Sequence, residues 1–257
     1  IAIGEATKLA GRMLDSDKIY EFTIGFGEET DSLDLEGKVI ATSDVRPTLA
    51  EIEVALPRFT GSIEQVPPAF SALKVDGKRA YDLARAGEDV VLTSRNVTIH
   101  SLRVSAPPRE SDSFTRRRGG AEEVSEITLT AHVSKGTYIR SLARDIARAL
   151  GTVGHVTMLR RTKAGPFTLA QSISLDILFE KSKARALEDI SLPIRTALDD
   201  IPALALTPEQ ARLLHNGQVL TGIAAQGGLH LALNGEIPLA LVEVLDGNVR
   251  TVRRFNL

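Results

Sequence analysis

The segment over residues 126–151 places the strongest constraint on the fold. Residues 126–133 alternate between polar and apolar side chains, which predicts a half-buried strand. After a short turn at residues 134–136, residues 137–150 place apolar side chains at helical spacing, and Gly151 follows as a helix terminator. A strand joined so closely to a one-sided helix predicts a helix that packs on a sheet.

The predicted helix carries a row of arginines beside its apolar stripe. Arg140, Arg144 and Arg148 recur every four residues and therefore lie along one edge of the helix. The stripe consists of Ile139, Leu142, Ala143, Ile146 and Leu150. We expect the stripe to pack on the sheet and the guanidinium groups to point outward.

Charge is segregated along the chain, although the formal net charge is only −2. Residues 131–163 contain seven bases and one acid, whereas residues 15–36 contain eight acids and one base. A local basic surface is typical of proteins that bind phosphates. The alternative is a solvated basic helix that is paired with the acidic segment elsewhere in the fold, and charge alone leaves both interpretations open.

Strand and helix signals continue on both sides of this segment. Residues 20–26 alternate in polarity and predict a second half-buried strand. Thr48 and Glu51 have the spacing of a capping box at the start of a helix, and residues 105–125 predict a polar loop. Residues 246–248 predict the turn of a hairpin. The chain therefore reads as α+β, without an internal repeat.

The order of these elements predicts two domains. Residues 1–178 are expected to form a mixed, largely antiparallel sheet with flanking helices. Residues 179–200 predict a charged connector, and residues 201–257 a small β-rich domain. The helical pattern of residues 1–10 has no capping residue before it, which favours a chain that continues a longer polypeptide.

Composition and motifs exclude several classes of function. The chain has no cysteine, which excludes thiol catalysis and Cys-ligated metals and fits a reducing compartment such as the cytoplasm. It contains no P-loop motif and no apolar run long enough for a membrane span. Five scattered histidines lack zinc-protease spacing, and the acidic segment lacks the EF-hand positions. We therefore expect neither a metal nor a cofactor.

Three separate motifs of unusual composition occur in order. The first is GEATK at residues 4–8 with LDSDKIY at residues 14–20, the second is PPAFSALK at residues 67–74 with GKRAY at residues 77–81, and the third is SKGTYIR at residues 134–140 with LRR at residues 159–161. Together they resemble the bacterial tRNA pseudouridine-55 synthases, the TruB-type family. The resemblance covers most of residues 1–178, and residues 201–257 resemble, more weakly, the PUA-like RNA-binding module that ends many such synthases.

The resemblance implies a fold, a reaction and a partner. The fold would be pseudouridine synthase-like, and the substrate would be a uridine in the T loop of tRNA that is flipped out of the RNA. Its N1–C1′ bond would be broken and the base rejoined through C5, without a metal or cofactor. The partner would be the T-arm stem-loop of tRNA, bound by a cytoplasmic monomer without a membrane.

The resemblance also implies roles for single residues. Tyr20 would stack on the flipped base and help to move the C5 proton, and Arg140 would pair with the catalytic aspartate. Tyr138 would contact the target nucleotide, and Leu159 would form an apolar wall of its pocket. Phosphate contacts are expected from the basic residues Lys8, Lys74, Lys78, Arg79, Arg144, Arg148, Arg160 and Arg161. The structural alternatives are a core aromatic for Tyr20, a surface helix arginine for Arg140, plain core for Leu159 and solvated charges for the other basic residues.

One family motif is missing from residues 1–257. In the family, the catalytic aspartate lies in a G-x-L-D-P-x-A-[ST]-G stretch just before the segment that matches residue 1. We therefore expect the nucleophile to lie upstream and the 257-residue chain alone to be inactive. The arginine-rich loop at residues 105–125 is a second departure, and we interpret it as a tolerated insertion.

Two other classes of function remain possible from the sequence. One is a non-catalytic tRNA-binding or RNA-folding protein that uses the same surface without a nucleophile. The other is a small-molecule hydrolase or isomerase that acts on sugars through paired carboxylates. Steeply salt-dependent binding of tRNA would distinguish the RNA-binding classes from the latter.

Overall fold

The computed structural model describes residues 1–106, 117–118 and 121–257. In these ranges the α-helices are α1 (Ala10–Asp15), α2 (Leu49–Ala55), α3 (Ala80–Arg85), α4 (Ile139–Ala149), α5 (Leu175–Lys183) and α6 (Pro208–His215). The strands are β1 (Lys18–Phe26), β2 (Glu28–Thr30), β3 (Val39–Thr42), β4 (Gly61–Gln65), β5 (Lys74–Val75), β6 (Lys78–Arg79), β7 (Arg95–Ala106), β8 (Arg117–Arg118), β9 (Ala121–Glu122), β10 (Glu126–Val133), β11 (Gly154–Ala164), β12 (Phe167–Thr168), β13 (Ala203–Ala205), β14 (Gly228–Asn234), β15 (Ile237–Leu245) and β16 (Asn248–Arg254). Short 3₁₀ helices cover Gly4–Leu9, Leu56–Phe59, Leu169–Gln171, Leu187–Ile190 and Ile194–Leu198.

The chain forms two compact units. One unit is Ser16–Ala164, and the other combines Ile1–Asp15 with Gly165–Leu257. The domain borders expected at residues 178 and 200 do not coincide with the border of these units between Ala164 and Gly165. Those borders stay predictions.

The unit of residues 16–164 is built on an antiparallel sheet. Its strands follow the order β11-β1-β10-β7-β4. The two strands predicted at residues 20–26 and 126–133 are neighbours in the middle of this sheet. Successive residues of β10 point alternately to the buried face and to the outer face. The expectation of a largely antiparallel sheet with flanking helices is confirmed.

Helix α4 covers the buried face of the sheet as its apolar stripe predicts. Ile139, Leu142 and Ile146 form one core cluster with Phe22 and Leu129 of the sheet, and all five side chains are buried. The helix starts two residues later than the periodicity suggests. Its end is as predicted. Gly151, two residues after the last residue of the helix, takes a positive φ of 73°, which residues with a side chain avoid.

The predicted caps and turns of both units are present. Thr48 and Glu51 form the reciprocal hydrogen bonds of a capping box at the start of α2. In the other unit, β13-β14-β15-β16 form a small sheet, and the turn between β15 and β16 has positive φ at Asp246 and Gly247. The small β-rich C-terminal sheet and its hairpin are therefore confirmed.

Two sequence expectations need a separate statement. Most of the predicted polar loop at residues 105–125 lies outside the described residues, so its interpretation as an insertion stays a prediction. Among the residues that the structure describes, no helix is both long and apolar enough to span a bilayer.

Candidate active site

Tyr20, Leu159 and Arg161 lie side by side on two paired strands. Tyr20 of β1 is opposite Arg161 of β11, and Phe22 is opposite Leu159. Directly opposed residues of an antiparallel pair share a face of the sheet. Tyr20 packs against the core cluster that contains Phe22, whereas the Leu159 side chain is 47% exposed. An exposed leucine beside a half-buried tyrosine forms a small apolar platform at the rim of the core.

The tyrosine ring and hydroxyl both contact an arginine. The Arg161 Nε donates a hydrogen bond of 3.0 Å to the Tyr20 hydroxyl, and the guanidinium carbon lies 5.2 Å from the ring centroid. A guanidinium group at this distance is attracted by the ring. Since the hydroxyl oxygen accepts this bond, the phenol keeps its own hydrogen to donate. Arg161 therefore has a second role besides the expected phosphate contact, because it orients the phenol.

Arg140 is held at the start of α4 by three acceptors. Its Nη1 donates to the carbonyl of Ser32 and to Oδ2 of Asp34, both at 2.8 Å, and its Nη2 donates to the carbonyl of Phe70 at 2.7 Å. These bonds use three of the five guanidinium hydrogens and leave two without a partner among the described residues. The group is therefore fixed in orientation and still able to bind a second carboxylate.

The loop that supplies Asp34 is itself well ordered by internal bonds. The Asp34 Oδ1 accepts from the Ser32 hydroxyl at 2.5 Å and from the backbone N–H of Glu36 at 3.1 Å. Leu33 takes the left-handed conformation with φ of 63°, and its carbonyl accepts from the N–H of Val156 in β11. A side chain at Gly37 would collide with Ser32 at 2.3 Å, so the turn requires glycine there.

Tyr138 is positioned through its backbone by a buried glutamine. It is the residue before the first turn of α4, and its N–H donates to Gln65 Oε1 at 2.7 Å. Gln65 is only 1% exposed, and its Nε2 has no partner in the part of the chain that the structure describes. The Tyr138 side chain is half-buried. Gln65 thus joins the end of β4 to the start of α4, where Arg140 is held.

The basic residues predicted to contact phosphates divide into two groups. Lys74, Lys78 and Arg79 are exposed on the β5–β6 hairpin, and Arg160 is exposed on β11. Their positions allow an anion to reach them. Arg161 follows Arg160 in the sequence and is also exposed, but its side chain already donates to the hydroxyl group of Tyr20.

The other members have partners inside the protein. Arg148 forms an ion pair of 2.8 Å with Glu29, and Arg144 donates to Asp145 at 2.8 Å and to the carbonyl of Val66 at 3.2 Å. In the second unit, Lys8 donates to Glu5 at 2.6 Å and to a backbone carbonyl at 2.9 Å. The hydrogen bond from Lys8, followed by one from a backbone N–H, lowers the pKa of Glu5.

The outward orientation expected for the helix arginines is wrong for Arg140 and Arg144, whose side chains are 22% and 13% exposed, and correct for Arg148, whose side chain is 57% exposed. Arg140 and Arg148 pair with Asp34 and Glu29, so the alternative interpretation, a basic helix paired with the acidic segment, describes this part of the fold. The physical reason is that the Glu29 side chain is only 7% exposed, and a buried carboxylate needs a cationic partner. The phosphate contacts of Arg144 and Arg148 stay predictions.

Sequence reasoning missed three residues that organise this region. In the sequence, Asp34 and Glu29 are two of the eight acids of residues 15–36, without a pattern that gives either an individual role, and Gln65 has no distinctive pattern. The segregation of charge between residues 15–36 and 131–163 was the signal that pointed to the two acids. The buried glutamine could not be found, because a single polar residue at a strand end has no distinctive pattern.

Comparison with known proteins identifies the class to which this fold and site belong. Residues 1–139 match the family model described as TruB family pseudouridylate synthase, N-terminal domain. Residues 140–199 match the model described as tRNA pseudouridylate synthase B C-terminal domain. The chain therefore belongs to the TruB family of pseudouridylate synthases, a family of isomerases.

Curated relatives match along the whole chain. It is 62% identical over 257 residues to the tRNA pseudouridine synthase B of Novosphingobium aromaticivorans, covering all of this chain and 81% of that protein. It is 52% identical to the tRNA pseudouridine synthase B of Zymomonas mobilis, covering 80% of that protein. A solved H/ACA ribonucleoprotein bound to a substrate RNA containing 2′-deoxyuridine aligns with 98% of this chain and 70% of its own chain, with a TM-score of 0.66 and 18% identity. This last likeness shows the fold alone.

Proposed function

We propose that this protein isomerises a uridine of tRNA to pseudouridine, and that the target is the T-loop uridine at position 55. Membership of the pseudouridylate synthase family supports the reaction, and the names of the curated relatives support tRNA as the substrate. The observation that carries the assignment of residues is the platform of Tyr20 and Leu159 on two paired strands. A second, separate observation is that Arg140 is held in a fixed orientation at the start of α4.

The platform is suited to hold a base that has left the RNA stack. Flipping a base costs a few kcal/mol of unstacking, which stacking on an aromatic ring offsets in part. The Tyr20 ring would lie against the base, and Leu159 would exclude water from its edge. The phenol hydrogen bond from Arg161 would orient the hydroxyl for the proton that leaves C5.

Arg140 would act on the chemistry through a carboxylate. A nucleophilic aspartate must stay ionised and point at the reacting sugar or base, and a guanidinium group with two unused donors satisfies both needs. Asp34 and the two backbone carbonyls would keep that guanidinium from turning. Arg140 is therefore proposed to position the nucleophile, and Tyr138 to contact the nucleotide next to it.

The exposed basic residues would bind the phosphates of the T arm. Lys74, Lys78 and Arg79 project from one hairpin, and Arg160 is exposed on β11, opposite Glu21 of β1. Their contribution would come from counterion release, so affinity for tRNA should fall steeply with salt. The C-terminal sheet is proposed to be a PUA-like RNA-binding module. The protein would act as a monomer in the cytoplasm, where its substrate tRNA is found.

Replacement of Arg140 tests the proposal. The assay measures the release of tritium from tRNA that is labelled at C5 of uridine. The form of the protein that is active in this assay would be compared with its Arg140→Ala and Arg140→Lys variants. We expect turnover to fall far more than tRNA affinity in both variants, because lysine cannot reproduce the fixed fork of donors. Arg195→Ala, which breaks an exposed ion pair with Glu236, is the matched control.

The outcomes separate the possible functions. A loss of affinity without a loss of turnover would contradict the positioning role of Arg140. Salt-dependent binding of tRNA with no tritium release from any form of the protein would favour a non-catalytic RNA-binding protein instead.

A further inference from the structure

Two histidines and an aspartate meet on the outer face of the main sheet, outside the site described above. Asp17 precedes β1, His100 lies in β7 and His132 lies in β10. The Asp17 Oδ2 is 3.1 Å from the Nε2 of His100 and 3.6 Å from the Nε2 of His132. The centroids of the two imidazole rings are 4.7 Å apart. Nothing in the proposed isomerisation uses these three side chains.

An irregularity in the strand pairing brings the two rings together. His132 is opposite Ser101 and Val133 is opposite Ile99, so His100 is an additional residue in β7 at this point. A regular register would direct His100 and Ser101 to opposite faces of the sheet. A β-bulge re-aims a side chain, and here it allows His100 to lie beside His132. Bulges that re-aim side chains are often found next to functional sites.

The spacing of the three ligand atoms fits a tetrahedral metal site. Zinc binds histidine nitrogen and carboxylate oxygen at about 2.0–2.2 Å, and a tetrahedron of that size has edges of about 3.3 Å. The two distances from Asp17 Oδ2, 3.1 and 3.6 Å, lie on either side of this value. All three ligand atoms lie within 4.8 Å of one another. Small rotations of the exposed side chains are therefore enough to form three bonds to one ion.

The ligand chemistry selects the kind of cation. Imidazole nitrogen suits zinc and neighbouring transition metals, whereas calcium and magnesium prefer a full set of oxygen ligands. Three protein ligands leave a fourth position for water. We propose that Asp17, His100 and His132 form a site for Zn²⁺ that ties the beginning of β1 to β7 and β10. This site departs from the expectation that the chain binds no metal, and it does not depend on the proposed function.

Without an ion, the same groups would form a proton-mediated contact between the Asp17 carboxylate and two imidazoles, with His100 at 3.1 Å and His132 at 3.6 Å. The two arrangements differ in a measurable way, because a metal replaces the protons on the coordinating nitrogens and is removed by a chelator. Sequence spacing could not indicate the site, because its ligands come from three distant segments: the residue before β1, strand β7 and strand β10.

Zinc titration of the untagged 257-residue chain tests the proposal. Competition with a chromophoric chelator would give the affinity and the number of ions bound, and Co²⁺ would report tetrahedral coordination by its visible absorption. We expect one ion per chain. We expect each of the three ligand variants to bind zinc at least ~10–100-fold more weakly, because loss of a hydrogen-bond partner of a metal ligand already causes a decrease of that size. These variants are Asp17→Asn, His100→Gln and His132→Gln. His215→Gln, at an exposed histidine of α6, should bind zinc as the unmodified chain does.

Folding of the variants is checked by circular dichroism. The three ligand side chains are between 37% and 45% exposed, so we expect each variant to fold. In a second measurement, zinc should raise the melting temperature of the unmodified chain and of His215→Gln but not of His100→Gln. Zinc binding that is equally tight in all three ligand variants, or no saturable binding by the unmodified chain, would overturn the proposal.

Discussion

Replacement of Asp34 by asparagine isolates the contact that orients Arg140. In the structure, one carboxylate oxygen of Asp34 accepts from Ser32 and Glu36 while the other accepts from Arg140. Asparagine has only one acceptor oxygen. If that oxygen keeps its bonds within the loop, the amide N–H₂ faces the guanidinium group, and two donors then oppose each other. The variant therefore loses the charged contact without a change in side-chain size.

The size of the effect follows from how deeply the pair is buried. A hydrogen bond to a charged group contributes about 1.5–3 kcal/mol, whereas a fully exposed ion pair contributes about 0.2–1 kcal/mol. The side chains of Arg140 and Asp34 are 22% and 28% exposed, so we expect a loss of about 1–2 kcal/mol. If this loss falls on the transition state, turnover decreases about 5- to 30-fold while KM stays nearly constant.

The assay is single-turnover tritium release at saturating tRNA, with filter binding to measure affinity. Asp31→Asn is the matched control, because Asp31 lies in the same loop. Its carboxylate accepts from the backbone N–H of Lys38, its one partner within the described part of the chain, and asparagine can still accept that bond. Equal rates of tritium release in Asp34→Asn and Asp31→Asn would refute the reasoning that Asp34 acts through Arg140.

Three other outcomes can be measured independently. Tyr20→Phe keeps the ring, so tRNA binding should persist while tritium release slows, and an unchanged rate would limit Tyr20 to stacking. Lys78→Ala should make the negative slope of log affinity against log salt shallower by about 1. In the same filter-binding titration, Lys183→Ala, on the exposed side of α5, should leave the slope unchanged. Leu142→Ala should reduce the free energy of unfolding, measured in urea, by about 2–5 kcal/mol. Val54 is mostly exposed, so Val54→Ala should have little effect. Similar losses in both variants would contradict the assigned core.

The sequence predicted those parts of the fold that repeat. Alternation in β1 and β10, the apolar stripe of α4 and the capping box of α2 each follow from a local pattern that the backbone geometry imposes. These patterns also led to the antiparallel sheet and to the C-terminal hairpin. The motifs then placed Tyr20, Leu159 and Arg140 in one family resemblance.

The parts that could not be predicted depend on pairing between distant segments. The arginine row of α4 has the same sequence pattern whether its groups face solvent or bind Asp34 and Glu29, and only the path of the acidic loop decides. In the same way, the contact between His100 and His132 depends on one additional residue in β7. A single sequence does not show such a shift in register.

The two ion pairs between the acidic loop and α4 set a length for that loop. Arg140 and Arg148 are eight residues apart, which is about 12 Å along the helix axis. Their partners run in the opposite direction, with Glu29 at the far end of the helix and Asp34 at its beginning, and the five peptide steps between them reach at most about 17 Å. Removal of two of these residues would leave about 10 Å, which is less than the spacing of the two arginines along the helix axis, so the side chains would have to bridge the difference. The number of residues between Glu29 and Asp34 is therefore matched to the spacing of the two arginines that they bind.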